Sequence, residues 1–103
     1  MKITTRPFDA AKYLDDDESQ LYLLDDAIES GDAHYIAHAI GTIARAKGGL
    51  SHLERLTHIK RQTLNKSLGK NGNPTLVTLL SVLDALGLRL RIESVSEREL
   101  ADA

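Results

Sequence analysis

Apolar residues recur along most of this chain every three or four positions, the spacing that gathers side chains on one face of an α-helix. Leu21, Leu24 and Ile28 form one such set within residues 19–30, which Gly31 closes. Asp32 is placed to cap a following helix in which Ile36, Ile40 and Ile43 repeat, with Ala37, Ala39 and Ala44 allowing close approach. That helix is expected to finish near Lys47, where Gly48 and Gly49 supply the left-handed conformations that helix ends use. Ser51 followed by Glu54 has the pattern of a capping box and opens a short helix through about Thr57, with Leu53 and Leu56 facing inward. After a tight break at His58 and Ile59, a second short helix is expected over about 60–68, with Leu64 and Leu68 inward. Residues 69–74 are a loop by composition. Thr75 can cap a last helix whose Leu76, Leu79, Leu80, Leu83 and Leu86 make the clearest apolar stripe, and Gly87 stops it.

Two segments depart from this periodicity. Residues 9–14 are expected to form a short opening helix, with Phe8, Tyr13 and Leu14 available for packing. Residues 88–92 alternate with a period of two, so Leu88, Leu90 and Ile92 are expected on one face of a half-buried strand. A lone strand has an unsatisfied backbone edge, which a second copy of the chain could pair. The fold class expected is therefore all-α, with five or six helices and a short C-terminal β-strand, in one domain over residues 1–93. Residues 94–103 read as a polar, frayed tail.

Length and composition narrow the function classes. A chain of 103 residues holds one core, and with no cysteine it has neither a disulfide framework nor a Cys-based metal site. Its apolar runs fall far short of the ~20 residues that span a bilayer, and residues 1–7 lack the apolar centre of a signal peptide. A soluble cytoplasmic protein is expected.

The formal net charge of −2 conceals a partition. Residues 1–41 carry three basic side chains against nine acidic ones. Residues 42–74 carry seven basic side chains, and Glu54 is their only acid. A polyanion partner for the middle of the chain follows from that asymmetry, as does a basic partner for its acidic end.

Two short helices separated by a three- to four-residue break, over about residues 51–68, have the layout of a helix-turn-helix. The first helix braces the second, whose N-terminal turn faces base edges in the major groove. That turn reads Lys60, Arg61, Gln62, Thr63, with Asn65 and Lys66 just beyond. Arg bonds guanine in a bidentate way and Gln or Asn does so with adenine, so Arg61, Gln62 and Asn65 are the candidate base readers, with Thr63 a lesser one. Lys60, Lys66 and Ser51 suit phosphate contacts, and Arg45, Lys47 and Lys70 extend the cationic footprint. The alternative is that these are ordinary exposed residues on a helical hairpin.

Longer segments add a resemblance. Pro7-Phe8-Asp9-Ala10-Ala11 with Tyr13-Leu14, residues 39–48, Asn73-Pro74-Thr75-Leu76 and residues 85–90 together resemble the addiction-module antidote proteins across about residues 7–92. These are a HigA-like branch of the Xre/Cro repressor class with a λ-repressor-like DNA-binding fold. The resemblance implies an antitoxin that neutralises a RelE/HigB-like toxin and represses their shared operon, as a homodimer on a palindromic operator. Two positions depart from the family's pattern: Glu54, where such motifs favour a small residue, and His58, where they usually place Gly. Toxins of that type are generally basic, which makes the acidic run Asp15, Asp16, Asp17 and Glu18 a candidate toxin contact by complementarity. A helix-capping and solubilising role fits the same run equally well. Other readings are a stand-alone phage-type transcriptional regulator with no toxin, and a protein-interaction module whose helix pair no longer binds DNA.

Catalytic chemistry finds little support. His34 and His38 stand four residues apart on a helix, but no third ligand accompanies them, so no metal is expected. Gly69-Lys70-Asn71-Gly72 lacks the spacing of a phosphate loop, and the paired carboxylates have no companion nucleophile or base. No cofactor, small-molecule substrate or membrane association is expected, nor enzymatic activity.

Overall fold

The computed structural model describes residues 16–96, in which five helices follow one another: α1 (Asp17–Ser30), α2 (Ala33–Ala46), α3 (Gly49–Thr57), α4 (Arg61–Ser67) and α5 (Leu76–Ala85). The opening helix expected over residues 9–14 lies outside the described residues, as do Asp15 and the end of the tail.

Side-chain caps set three of the helix starts. Asp16 accepts the Ser19 N–H at 2.7 Å and opens α1 two residues earlier than the apolar spacing alone suggests. Asp32 accepts the N–H groups of His34 (2.9 Å) and Tyr35 (3.3 Å) at the head of α2. Thr75 accepts the Thr78 N–H at 3.1 Å at the head of α5. Each satisfies donors that a first helical turn leaves without an intrahelical acceptor. Gly48 and Gly49, at φ 114° and 86°, end α2 and turn directly into α3. A side chain at either would be strained.

The core is built on α2. Ile40 and Ile43 are fully buried beside Ala39 and Ala44, and Leu53, Leu64, Leu68, Val82, Leu83 and Leu86 pack with them. On the opposite side, Leu24 and Ala27 of α1 close the same cluster. Gly41 of α2 brings two backbones together: a Cβ there would stand 2.3 Å from the carbonyl oxygen of Leu68. Helix α2 thereby seats the end of α4 against its own main chain.

Polar bonds tie the periphery to this core. The His34 Nδ1–H donates to the carbonyl of Gly72 at 2.8 Å, holding the loop after α4 against the start of α2. The ring must donate here, because a carbonyl can only accept. Lys47 reaches across the molecule, donating to the Leu86 carbonyl at 3.1 Å and pairing with Asp17 at 3.6 Å. Between α1 and α2, the Tyr35 hydroxyl donates to Asp26 at 2.5 Å, which raises the phenol above its ordinary range.

Four sequence expectations are corrected. Ser51 does not cap α3, which begins at Gly49 after Gly48 and has no side-chain cap; the capping box does not form. Leu56 is half exposed, because α3 is only nine residues long and Leu53 alone lies on its buried line. The stripe on α5 divides: Val82, Leu83 and Leu86 are buried, whereas Leu76 and Leu80 join Val77 in solvent at the start of the helix. The C-terminal segment carries no strand among the described residues. Leu88 packs against the core, but Leu90 is exposed and Ile92 fully so, and a single chain gives this segment no neighbouring edge to pair with.

Candidate nucleic-acid interface

Helices α3 and α4 meet at a turn made by His58, Ile59 and Lys60. His58 adopts the left-handed conformation at φ 62° and donates its backbone N–H to the Glu54 carbonyl at 2.8 Å. The Thr57 hydroxyl donates to Leu53 and accepts the Ile59 N–H at 3.2 Å, so the turn is braced from both sides. His tolerates this region better than most residues with a Cβ.

At the far side of the turn, α4 lacks a cap of its own, since Lys60 at the N-cap position offers no acceptor. Glu54 supplies one from α3: its Oε2 accepts the Arg61 backbone N–H at 2.8 Å. Glu54 therefore reaches forward across the turn rather than back along its own helix. A carboxylate at this point satisfies an open donor and opposes the positive end of the α4 dipole. The Arg61 guanidinium returns the contact, donating to the Ser51 hydroxyl at 3.3 Å.

These bonds define a shallow groove between α3 and α4, lined by Ser51, Glu54, Lys60, Arg61 and Gln62. Beyond it, Thr63, Asn65 and Lys66 continue the exposed face of α4, while Leu64 and Leu68 anchor the opposite face in the core. Arg61, Gln62, Thr63 and Asn65 are all exposed to solvent, as are Lys60, Lys66 and Ser51. The only acid of residues 42–74 lines the groove, occupied by a backbone N–H.

The outlying cations divide. Arg45 is exposed on α2 and donates to the Thr42 hydroxyl at 3.2 Å. Lys70 is exposed in the loop that His34 anchors. Lys47 is engaged by Leu86 and Asp17, away from the α3–α4 groove. Arg55 was not among the residues singled out from the sequence; it is exposed on α3 and donates to His52 Nδ1 at 3.4 Å, adding a cation near Ser51. The absence of a capping side chain at position 60 was a legible sign that an acceptor must come from elsewhere.

His34 is committed to Gly72, and no group of three or more His, Cys, Asp or Glu side chains placed to hold a metal occurs among the described residues. No helix among those residues is long and apolar enough to cross a membrane.

Residues 4–94 match the family model described as "Probable addiction module antidote protein". The chain is also 36% identical over 89 residues to an uncharacterized protein of Haemophilus influenzae, an alignment covering 85% of this chain and 90% of the relative. No solved structure matches it.

Proposed function

The chain belongs to the family of probable addiction module antidote proteins, and from that premise we propose that it is an antitoxin which binds and neutralises a RelE/HigB-like toxin in the cytoplasm and represses its own operon. Helices α3 and α4 act as a helix-turn-helix of the Xre, HigA-like kind on a λ-repressor-like scaffold. Arg61, Gln62 and Asn65 read base edges, with Thr63 beside them, while Lys60, Lys66 and Ser51 hold phosphates. The observation that carries this reading is the exposed row on α4, fixed at one end by Glu54 and anchored through Leu64 and Leu68.

A palindromic operator calls for two copies. The exposed Leu76, Val77 and Leu80 of α5, together with Leu90 and Ile92, give a second copy apolar surface to cover. Residues 88–92 would gain in the dimer the strand edge that one chain lacks. No catalytic step belongs to this function, and it needs no cofactor.

The test is binding of the purified chain to its own upstream DNA across a salt series, with Arg61→Ala in parallel. Sequence-preferring binding that weakens steeply with salt and is lost in the variant is the expected result. Absence of binding at low salt would overturn the repressor reading and favour a protein-interaction role for the α3–α4 pair.

A further inference from the structure

Helix α1 carries five acids and no basic residue: Asp17, Glu18, Asp25, Asp26 and Glu29. Two further acids flank it, Asp16 and Asp32, and both act as helix caps. Its inner side is set by Leu24 and Ala27, which are buried with Gln20. At 100° per residue, Glu18, Tyr22, Asp25 and Glu29 fall together on the outer side, with Leu21 and Ile28 along its edge next to Leu24. Helix faces turned to water normally carry polar side chains, but this one holds Tyr22 at 79% exposure, Leu21 at 50% and Ile28 at 48%.

We propose that this outer face of α1 is the surface that grips a basic partner protein, with Tyr22, Leu21 and Ile28 entering an apolar recess and Glu18, Asp25 and Glu29 pairing with the cations around it. The inference rests on the antitoxin reading, because the occupant it names is the toxin. Charge complementarity selects that occupant over a second copy: an isologous contact through this face would set like charges opposite one another, a destabilising arrangement. An exposed Tyr ringed by polar groups is the composition of an interface anchor.

The structure also redirects the expectation formed from the acidic run. Asp16 accepts the Ser19 N–H and caps α1, and Asp17 pairs with Lys47 at 3.6 Å, so neither carboxylate is unpaired. Among the described residues, Glu18, Asp25 and Glu29 have no ion-pair or hydrogen-bond partner for their carboxylates, which leaves them available to a partner.

The experiment uses the full chain and the product of the gene beside its own, a small basic protein on this reading. Complex formation is measured by titration for the wild type, Tyr22→Ala and the double variant Asp25→Lys/Glu29→Lys, with thermal melting, mass in solution and operator binding as companion readouts. Expected is a weakening of about tenfold or more in each variant, at unchanged melting temperature, mass and DNA affinity. A wild-type complex that the variants form equally well overturns the assignment of this face and leaves the antitoxin reading intact. No complex with the wild type defeats both. A fall of several degrees in melting for Tyr22→Ala, or a change in oligomeric mass, would show the face to be covered by the chain itself or by a second copy, and also overturns the proposal.

Discussion

The carboxylate of Glu54 and the backbone N–H of Arg61, seven residues apart, meet at 2.8 Å across the turn between α3 and α4. Through this bond one helix caps the next, and the first turn of α4 is oriented by the body of α3. Removing the acceptor in Glu54→Ala leaves that N–H to solvent. A loss of about 1 kcal/mol is expected, as for other helix caps, which lowers the melting temperature by about 4–8 °C in a domain of this size. Glu54→Gln keeps an acceptor and should fall between the two in thermal melts. If the groove binds DNA, affinity should fall in the same order.

Gly41 faces a main-chain atom, which makes its substitution costly despite its place inside a helix. Replacing a helical Gly by Ala ordinarily stabilises by about 1 kcal/mol. Here the new Cβ would lie 2.3 Å from the Leu68 carbonyl oxygen, too close for any real contact, and a backbone atom cannot swing aside. Overpacking of this kind costs about 1–3 kcal/mol or more, so Gly41→Ala should be net destabilised in urea unfolding. A midpoint at or above the wild type would refute the close approach of α2 and α4.

His58 holds a left-handed conformation at φ 62° that Gly adopts freely. Relief of steric strain in His58→Gly competes with the greater freedom that Gly has in the unfolded chain. Since a Cβ in this region costs about 1–2 kcal/mol for a typical residue and somewhat less for His, a gain of up to about 1 kcal/mol is expected. His58→Val, branched at Cβ, should move the melting temperature in the other direction. Comparing the two melts isolates the backbone term.

The Ser19 N–H donates to Asp16 and holds its carboxyl below the usual carboxylate range. Folding therefore favours the ionised form. The contribution is full above the unfolded value of about 3.8 and is lost as pH falls through the lower folded value. Wild type and Asp16→Ala should differ in melting temperature at neutral pH by a few degrees, and the difference should shrink on acidification below that range. A gap that stays constant down to strongly acid pH would mean that the cap does not depend on its charge.

Helix positions were largely legible in the sequence because local signals mark them. Asp32, Gly48, Thr75 and Gly87 each sit at or beside a helix end, and the Ile40–Ile43 and Leu64–Leu68 pairs mark the buried faces. Misplaced details depended on neighbours distant in sequence. Ser51 and Glu54 satisfy a local capping rule, yet Gly48 and Gly49 start the helix earlier and the uncapped Arg61 N–H draws Glu54 forward. Leu76 and Leu80 fit the apolar stripe of α5, but at the start of the helix they lie beyond the part that meets the core and stay exposed. Lys47 looked like one more cation of the basic segment; the Leu86 carbonyl and Asp17 that engage it lie in other elements. Arg61 and Gln62 stand out in the sequence by residue type, whereas the groove they share with Ser51, Glu54 and Lys60 required the turn geometry.

The contact between Gly41 and Leu68 has a consequence for how such a protein diversifies. With α4 seated on bare main chain at one end and capped by Glu54 at the other, its placement owes nothing to Gln62, Thr63 or Asn65. Those exposed positions can mutate without disturbing the scaffold, so on the proposed DNA-binding reading the scaffold can be inherited unaltered while its target changes. If those residues read DNA as proposed, paralogous copies in one genome could drift to separate targets by exchanging three or four surface side chains, each intermediate remaining folded and therefore visible to selection.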